Sequence, residues 1–225
     1  MKVTLFAQFM VLLIVGCGES SDKPDFLNTV PKKDPIDGSE LELRSGITYH
    51  AKTNKTFTGN AKKIYKNGQG ASLASYKDGK LEGLLTNWYQ NGQKEVESNF
   101  KKGKQHGLTR SWRNDGKMLA EVNFKDGIKH GLCTDWYKNG QKMSEINYKD
   151  GKVFSVESWK ANGEKCPETN LKNGNGVRVS YHLNGKKRIE VNYKDGMQHG
   201  LWTIWNKDGK KWRESNWIEG KRVED

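Results

Sequence analysis

The sequence predicts an all-β fold: an elongated single-layer antiparallel meander of about seven tandem β-hairpins. Three observations carry that expectation. A unit of 24 residues recurs along most of the chain. Each unit holds two Gly-containing dipeptides that suit tight turns. The composition is too poor in aliphatic residues for a thick core. Hydrophobic residues make up 33% of the 225 positions, against roughly 45–50% in an ordinary domain, a figure that also counts Gly. Gly is abundant at 25 and Pro scarce at 4, while 8 Trp, 8 Tyr and 7 Phe set the chain apart from disordered sequences, which are poor in aromatics.

The chain opens with MKVTLFAQFMVLLIVGC. Lys2 gives a positive start, and Val3 to Val15 is a mostly apolar run. That run is shorter than the about 20 residues a spanning helix needs, so residues 1–16 read as a signal peptide. The run ends in Ile14-Val15-Gly16-Cys17. This ending resembles the bacterial lipobox, and the resemblance implies lipidation at Cys17 and attachment to the cell envelope. Residues 17–45 hold Pro24, Pro31 and Pro35 among Ser, Asp and Lys, which suits a flexible tether. Gly18 sits where an Asp would resemble an inner-membrane retention signal, so the outer membrane is expected if the cell is Gram-negative.

Residues 46–225 form the expected repeat domain. Units of 24 residues start at Tyr76, Phe100, Phe124 and Tyr193. The units from Tyr148 and Leu171 have 23 and 22, a divergent first unit fills Gly46 to Ser75, and a fragment from Trp217 closes the chain. One turn column is Asn67-Gly68, Asn91-Gly92, Asp115-Gly116, Asn139-Gly140, Asn162-Gly163, Asn184-Gly185 and Asp208-Gly209. Asn-Gly is the strongest short-range hairpin signal, because a type I′ turn needs φ > 0 at both central residues. The second column includes Asp78-Gly79, Lys102-Gly103, Asp126-Gly127, Asp150-Gly151 and Asp195-Gly196. A two-residue turn at Asn139-Gly140 sets Trp136 against Met143, Thr134 against Glu145, Cys133 against Ile146 and Gly131 against Tyr148. The same rule sets Gly83, Gly107 and Gly200 against Phe100, Phe124 and Trp217, so that an aromatic covers each strand Gly.

The cadence GxxxGKxHGxxxxWYxNGQK resembles the bacterial MORN-variant repeats of the family labelled YwqK-like antitoxins, as does the early Thr56-Phe57-Thr58-Gly59. The resemblance spans about residues 46–225 and implies a hairpin-repeat fold. It also implies a role in neutralising a partner protein, or in membrane-lipid binding or scaffolding. Phe154-Ser155 replaces the His-Gly pair of other units, which predicts a kink or an altered surface there.

No residue constellation points to catalysis, a cofactor or a metal. His106, His130 and His199 share a column, but hairpins repeat every two strands, about 9–10 Å. Zinc needs nitrogens about 2.0–2.1 Å from one ion, so these histidines cannot share it; each is expected to pair with the Asn facing it (Asn99, Asn123, Asn192). The Glu column from Glu97 to Glu214 reads as surface partners of Thr, Arg and Lys. Cys133 and Cys166 lie three strands apart and are expected as free thiols. The aromatic column Trp88, Trp112, Trp136, Trp159, Tyr181 and Trp205 is read first as packing, and second as a candidate binding stripe.

The charge narrows the partners. From Gly46 to Asp225 there are 34 basic and 20 acidic residues, a net +14 within the overall +12. Such a field suits an anionic partner. A protein is the first expectation, with anionic lipid or cell-wall polymer the alternative. The export signal argues against nucleic acid.

Overall fold

The computed structural model describes residues 34–223. The expected signal peptide, Cys17 and the first part of the expected tether lie outside the described residues. Seventeen strands and one 3-10 turn make up the described elements. The strands are β1 (Ile36–Asp37), β2 (Leu41–Arg44), β3 (Ile47–His50), β4 (Gly59–Ile64), β5 (Gly70–Lys77), β6 (Lys80–Trp88), β7 (Lys94–Lys101), β8 (Lys104–Trp112) and β9 (Met118–Lys125). They continue as β10 (Ile128–Trp136), β11 (Lys142–Lys149), β12 (Lys152–Ser158), β13 (Gly176–Tyr181), β14 (Lys187–Lys194), β15 (Met197–Trp205), β16 (Lys211–Ile218) and β17 (Lys221–Arg222). The all-β hairpin meander is what the turn columns predict.

The expected single sheet is divided into three. Strands β4 to β12 run in sequence order in a ten-stranded sheet, with β1 added in parallel beside β4, and β13 to β17 form a five-stranded sheet. A separate hairpin pairs β2 with β3 around Ser45-Gly46, both at positive φ. Among the described residues, strands are therefore present from Ile36, ahead of the boundary expected at residue 46. Leu41 and Leu43 alternate with charged residues and pair with His50 and Thr48, so this stretch carries a strand pattern of its own.

The two turn columns are both turns, but the type I′ geometry expected of the Asn-Gly column is found in the second column. Asp78, Lys102, Asp126, Asp150, Asp195 and Glu219 have φ of 48–54°, and the Gly after each is also positive. These are the two-residue I′ turns, closing for example Lys77 on Lys80. In the Asn-Gly column only the Gly is left-handed. There Gly68 N donates to Tyr65 O at 2.9 Å and Tyr65 N to Gln69 O at 2.8 Å. That is a three-residue loop with a type I turn and a left-handed Gly bulge. Its extra residue is offset by a bulge on the returning strand, where Asp135 pairs with Ser144 but Trp136 with Lys142, leaving Met143 unpaired. Hence Gly131–Tyr148, Cys133–Ile146 and Thr134–Glu145 pair as expected, whereas Trp136 does not meet Met143. Gly83–Phe100, Gly107–Phe124 and Gly200–Trp217 also pair as expected.

Each strand Gly of the His-Gly column also sits in a bulge. On one side Val122 pairs with Cys133, and on the other Phe124 pairs with Lys129, so Asn123 alone faces His130-Gly131-Leu132. Gly131 has φ +78° and Gly107 +85°, a conformation that costs other residues roughly 1–2 kcal/mol. The Asn fills the gap: Asn123 Nδ2 donates to Leu132 O at 2.7 Å, and Asn99 and Asn192 do the same to Leu108 and Leu201. The expected Asn–His pairs are thus replaced. His106 Nδ1 instead lies 3.2 Å from Asp126 and His130 Nδ1 3.4 Å from Asp150, the turn aspartates of the next unit.

The array breaks where the sequence departs from the pattern. In the unit from Tyr148, Phe154-Ser155 supplies one bulge residue fewer, since Ile146 pairs with Val156 and Tyr148 with Val153. The strand that should follow contains Pro167, which has no N–H for a ladder. Only isolated bridges, Trp159–Lys165 and Lys172–Asn175, remain there. The core gathers at this break. Leu171 is fully buried among Cys133, Ile146, Val153 and Val156, with Tyr148 and Tyr193 against them. Cys166, Val179 and Tyr181 form a second cluster.

Candidate functional site

The hairpins are joined by side chains as well as by ladders. In several units the residue that follows the first strand of the hairpin reaches the next unit. Tyr65, Tyr89 and Tyr137 hydroxyls donate to the carbonyls of Trp88, Trp112 and Trp159 at 2.7, 2.9 and 2.9 Å. Arg113 Nη2 donates to Trp136 O at 2.7 Å, and His182 Nε2 lies 2.9 Å from Trp205 O. The turn asparagines repeat the stitch along the same rim: Asn91, Asn139 and Asn184 donate to Asn114 O, Ala161 O and Lys207 O. This explains why the column prefers Asn to Asp, since a carboxylate has no hydrogen to donate.

Trp88, Trp112, Trp136, Trp159 and Trp205 are all half-buried, and only Tyr181 is buried. Ammonium groups sit over the rings: Lys94 over Trp112 at 5.7 Å, Lys142 over Trp159 at 5.0 Å and Lys160 over Tyr181 at 5.7 Å. Two of these lysines also meet the glutamate column, Lys94 at Glu97 and Lys142 at Glu145, and Lys187 and Lys211 pair likewise with Glu190 and Glu214. These four glutamates are therefore each met by a lysine of their own strand.

The junction differs. Tyr137 Oη lies 2.9 Å from Trp159 O and 3.2 Å from Tyr181 O, so one hydroxyl touches both sheets. Arg178 Nη2 reaches Ser144 Oγ at 3.4 Å across the same boundary. Tyr181 donates its hydroxyl to Glu168, whose carboxyl it holds below the usual carboxylate range. Burial pushes the Tyr137 and Tyr181 hydroxyls up, and the Tyr148 hydroxyl up to about 12. The Cys133 thiol is also raised by burial, which favours the unreactive protonated form. Both Cys133 and Cys166 are buried free thiols.

A cleft of about 680 Å³ opens beside Tyr137 where the two sheets meet. Its floor and walls include Leu119, Met143 and Arg188. All three are the bulged residues that follow the Asn-Gly turns, left unpaired between neighbouring ladder rungs. Bulges re-aim side chains, and here three of them aim at one space. Arg113, Lys138 and Lys207 complete a basic lining, with Asp135 as its carboxylate. Of the predicted aromatic stripe, the structure brings Trp136 and Tyr181 to this cleft. Trp88, Trp112, Trp159 and Trp205 do not line it. The sequence reading did not single out the bulge column; its signal is the switch from Glu95 to Leu119, Met143 and Arg188 at one repeat position.

Fold and site together define a tandem β-hairpin repeat protein with one irregular junction. Four segments of 22 residues, 81–102, 105–126, 129–150 and 174–195, match the family model described as MORN repeat variant. The matched segments stop at the junction, leaving out residues 151–173. No curated protein matches the chain.

Proposed function

We propose that the chain is a cell-envelope lipoprotein, anchored through Cys17, whose repeat array is a non-catalytic binding module for another protein, in the manner of an antitoxin or immunity protein. The MORN-variant repeats support the module, and the lipobox-like Gly16-Cys17 supports the anchor. One observation carries the binding role. Where the two sheets meet, one cleft gathers Arg113, Lys138, Arg188 and Lys207 beside Leu119, Met143 and Trp136.

The test is retention of envelope proteins by the full chain at low and moderate salt, with Cys17→Ser as the release control. A protein partner that survives moderate salt, and loss of the Cys17→Ser variant from the membrane fraction, support the reading. Exposed charge attraction fades at ionic strengths that shorten the Debye length to about 8 Å. Binding to anionic vesicles or cell-wall polymer that vanishes with salt, with no protein retained, replaces it by a peripheral structural role.

A further inference from the structure

We propose that the junction cleft holds an extended acidic segment of a partner protein, with carboxylates spaced along it and an apolar side chain between them. The inference rests on the binding-module reading above and adds the chemistry of the partner.

The first argument is charge. Arg113, Lys138, Arg188 and Lys207 face one carboxylate, Asp135, and that carboxylate already accepts from Ser144 Oγ at 2.9 Å. None of these four cations makes an ion pair among the described residues, whereas Lys142 and Lys187, on the same strands as Met143 and Arg188, are paired with Glu145 and Glu190. Arg113 spends one nitrogen on Trp136 O, and its Nε is buried without a partner. A buried guanidinium N–H left unsatisfied is costly, so an acceptor arriving beside it gains more than one meeting an exposed lysine.

The second argument is spacing. The cations come from different repeats: Arg113 from the unit of Phe100, Lys138 from that of Phe124, Arg188 from that of Leu171 and Lys207 from that of Tyr193. Within each sheet the two cations, Arg113 and Lys138 in one and Arg188 and Lys207 in the other, come from successive hairpins about 9–10 Å apart by strand geometry. One phosphate is too small to meet cations so separated. A chain in extended form advances about 3.3 Å per residue, so carboxylates three residues apart match that spacing. The third argument is the apolar lining. Leu119 and Met143 are bulged into the cleft, and Leu183 at its edge is 57% exposed. A purely anionic polymer would leave them uncovered. The cleft volume falls within the roughly 300–1,000 Å³ usual for ligand sites.

The experiment measures binding of a fluorescent glutamate–tyrosine copolymer to the full chain at near-physiological salt. A polyglutamate of equal length and phosphatidylglycerol vesicles run in parallel. The double variant Arg188→Glu/Lys207→Glu changes two exposed side chains and is compared with Lys125→Glu/Lys149→Glu, an equal change of charge on the opposite rim. The expected result is that the copolymer binds more tightly than polyglutamate. The cleft double variant then loses at least about tenfold in affinity, and the control about threefold or less. Leu183→Ser should weaken the copolymer and leave polyglutamate unchanged. Unchanged melting temperatures certify that the variants fold. Equal losses in both double variants would show a diffuse field and overturn the assignment. Cleft-dependent vesicle binding without copolymer binding would overturn it in favour of lipid. If envelope proteins are retained equally by wild type and cleft variant, the binding module survives and the cleft assignment falls.

Discussion

The units from Tyr76 to Asn147 and the junction from Tyr148 to Tyr181 are built from one repeat, yet they are stabilised differently. In the regular units the strands pair in an uninterrupted meander and most side chains are only half-buried. Their cohesion comes from ladders, from bulge-filling asparagines and from tyrosine stitches between units. In the junction one bulge residue is missing and Pro167 stops a strand, and the chain compensates with apolar burial around Leu171 and Val179. A repeat array is close to one-dimensional, each unit contacting only its neighbours. Tyr137 and Arg178 break that rule by contacting across the gap, at separations of 44 and 34 residues. Departure from the repeat therefore produces both the densest core of the described residues and the one cleft where bulged side chains from both sheets converge.

The contrast is tested most strongly at Leu171. Its side chain has no exposed surface, so Leu171→Ala should cost about 2–5 kcal/mol, read from urea unfolding. Leu132, in a regular unit, is 48% exposed, and Leu132→Ala should stay within about 0.5 kcal/mol. Equal losses would show that the junction is not the core. Next come the rings. Trp112 and Trp136 are half-open with lysines near the column, so Trp112→Ala and Trp136→Ala should each cost about 1.5–3 kcal/mol, less than a fully buried ring. Unchanged melting temperatures in both would remove packing as the role of the column. A ring that keeps its stability and loses its partner would belong to the binding surface, and Trp136 at the cleft is where that outcome would fall.

A third comparison uses the strand Gly. Gly131 lies at φ +78°, so Gly131→Ala should cost about 1–2 kcal/mol. Ser155 occupies the matching place in the shortened unit and has no positive φ. There Ser155→Gly should destabilise by about 0.5–1 kcal/mol through lost backbone restriction. Adding a side chain at Gly131 and removing one at Ser155 should thus both be unfavourable. A stabilising Ser155→Gly would mean that the junction retains the strain of the regular bulge.

Much of this was legible in the sequence, and what was not has physical causes. Periodicity located both turn columns and the pairs Gly131–Tyr148 and Thr134–Glu145, because a three-residue loop and a later bulge cancel in register. It missed the turn types, because Asn-Gly suits both a I′ turn and a type I turn closed by a left-handed Gly. It misplaced the His partners, since the bulge at Gly131 turns Asn123 toward Leu132 O and leaves His130 to Asp150. The expected alteration at Phe154-Ser155 is visible as a shortened bulge inside β12, and the sheets part further on, between Ser158 and Gly176. The cleft was beyond reach of a column-by-column reading, because it joins Leu119, Met143 and Arg188 across that split and depends on how far the two rims approach.

The tyrosine stitch separates the regions at smaller cost. Tyr89→Phe removes one bond to Trp112 O, part-buried in a regular unit, and should cost about 0.5–1.5 kcal/mol. Tyr137→Phe leaves the carbonyls of Trp159 and Tyr181 short of a donor at a buried site, and should cost about 1–3 kcal/mol. Calorimetric melts of the two variants decide, and a larger loss for Tyr89→Phe would deny the junction its special role.

The smallest effect concerns one acidic column in two settings. Glu214 is exposed and takes its lowered pKa mainly from a hydrogen bond donated by Lys211. Glu168 takes its lowered pKa mainly from the Tyr181 hydroxyl, a neutral donor. In both, the folded-state pKa lies below the unfolded value near 4.5. Each carboxylate therefore contributes stability that is present above that value and lost as the pH falls through the folded pKa. The two contributions should differ in their response to salt. An exposed ion pair is screened at 1 M salt, where the Debye length is about 3 Å, whereas a hydrogen bond from a buried hydroxyl is not. Stability measured from pH 7 to pH 3 should therefore keep the Glu168 part of its acid limb in 1 M salt and lose the Glu214 part. Tyr181→Phe should remove the salt-resistant part, and Lys211→Gln only the salt-sensitive part. If Tyr181→Phe leaves the high-salt acid limb unchanged, the Tyr181 hydroxyl is not what lowers the Glu168 pKa.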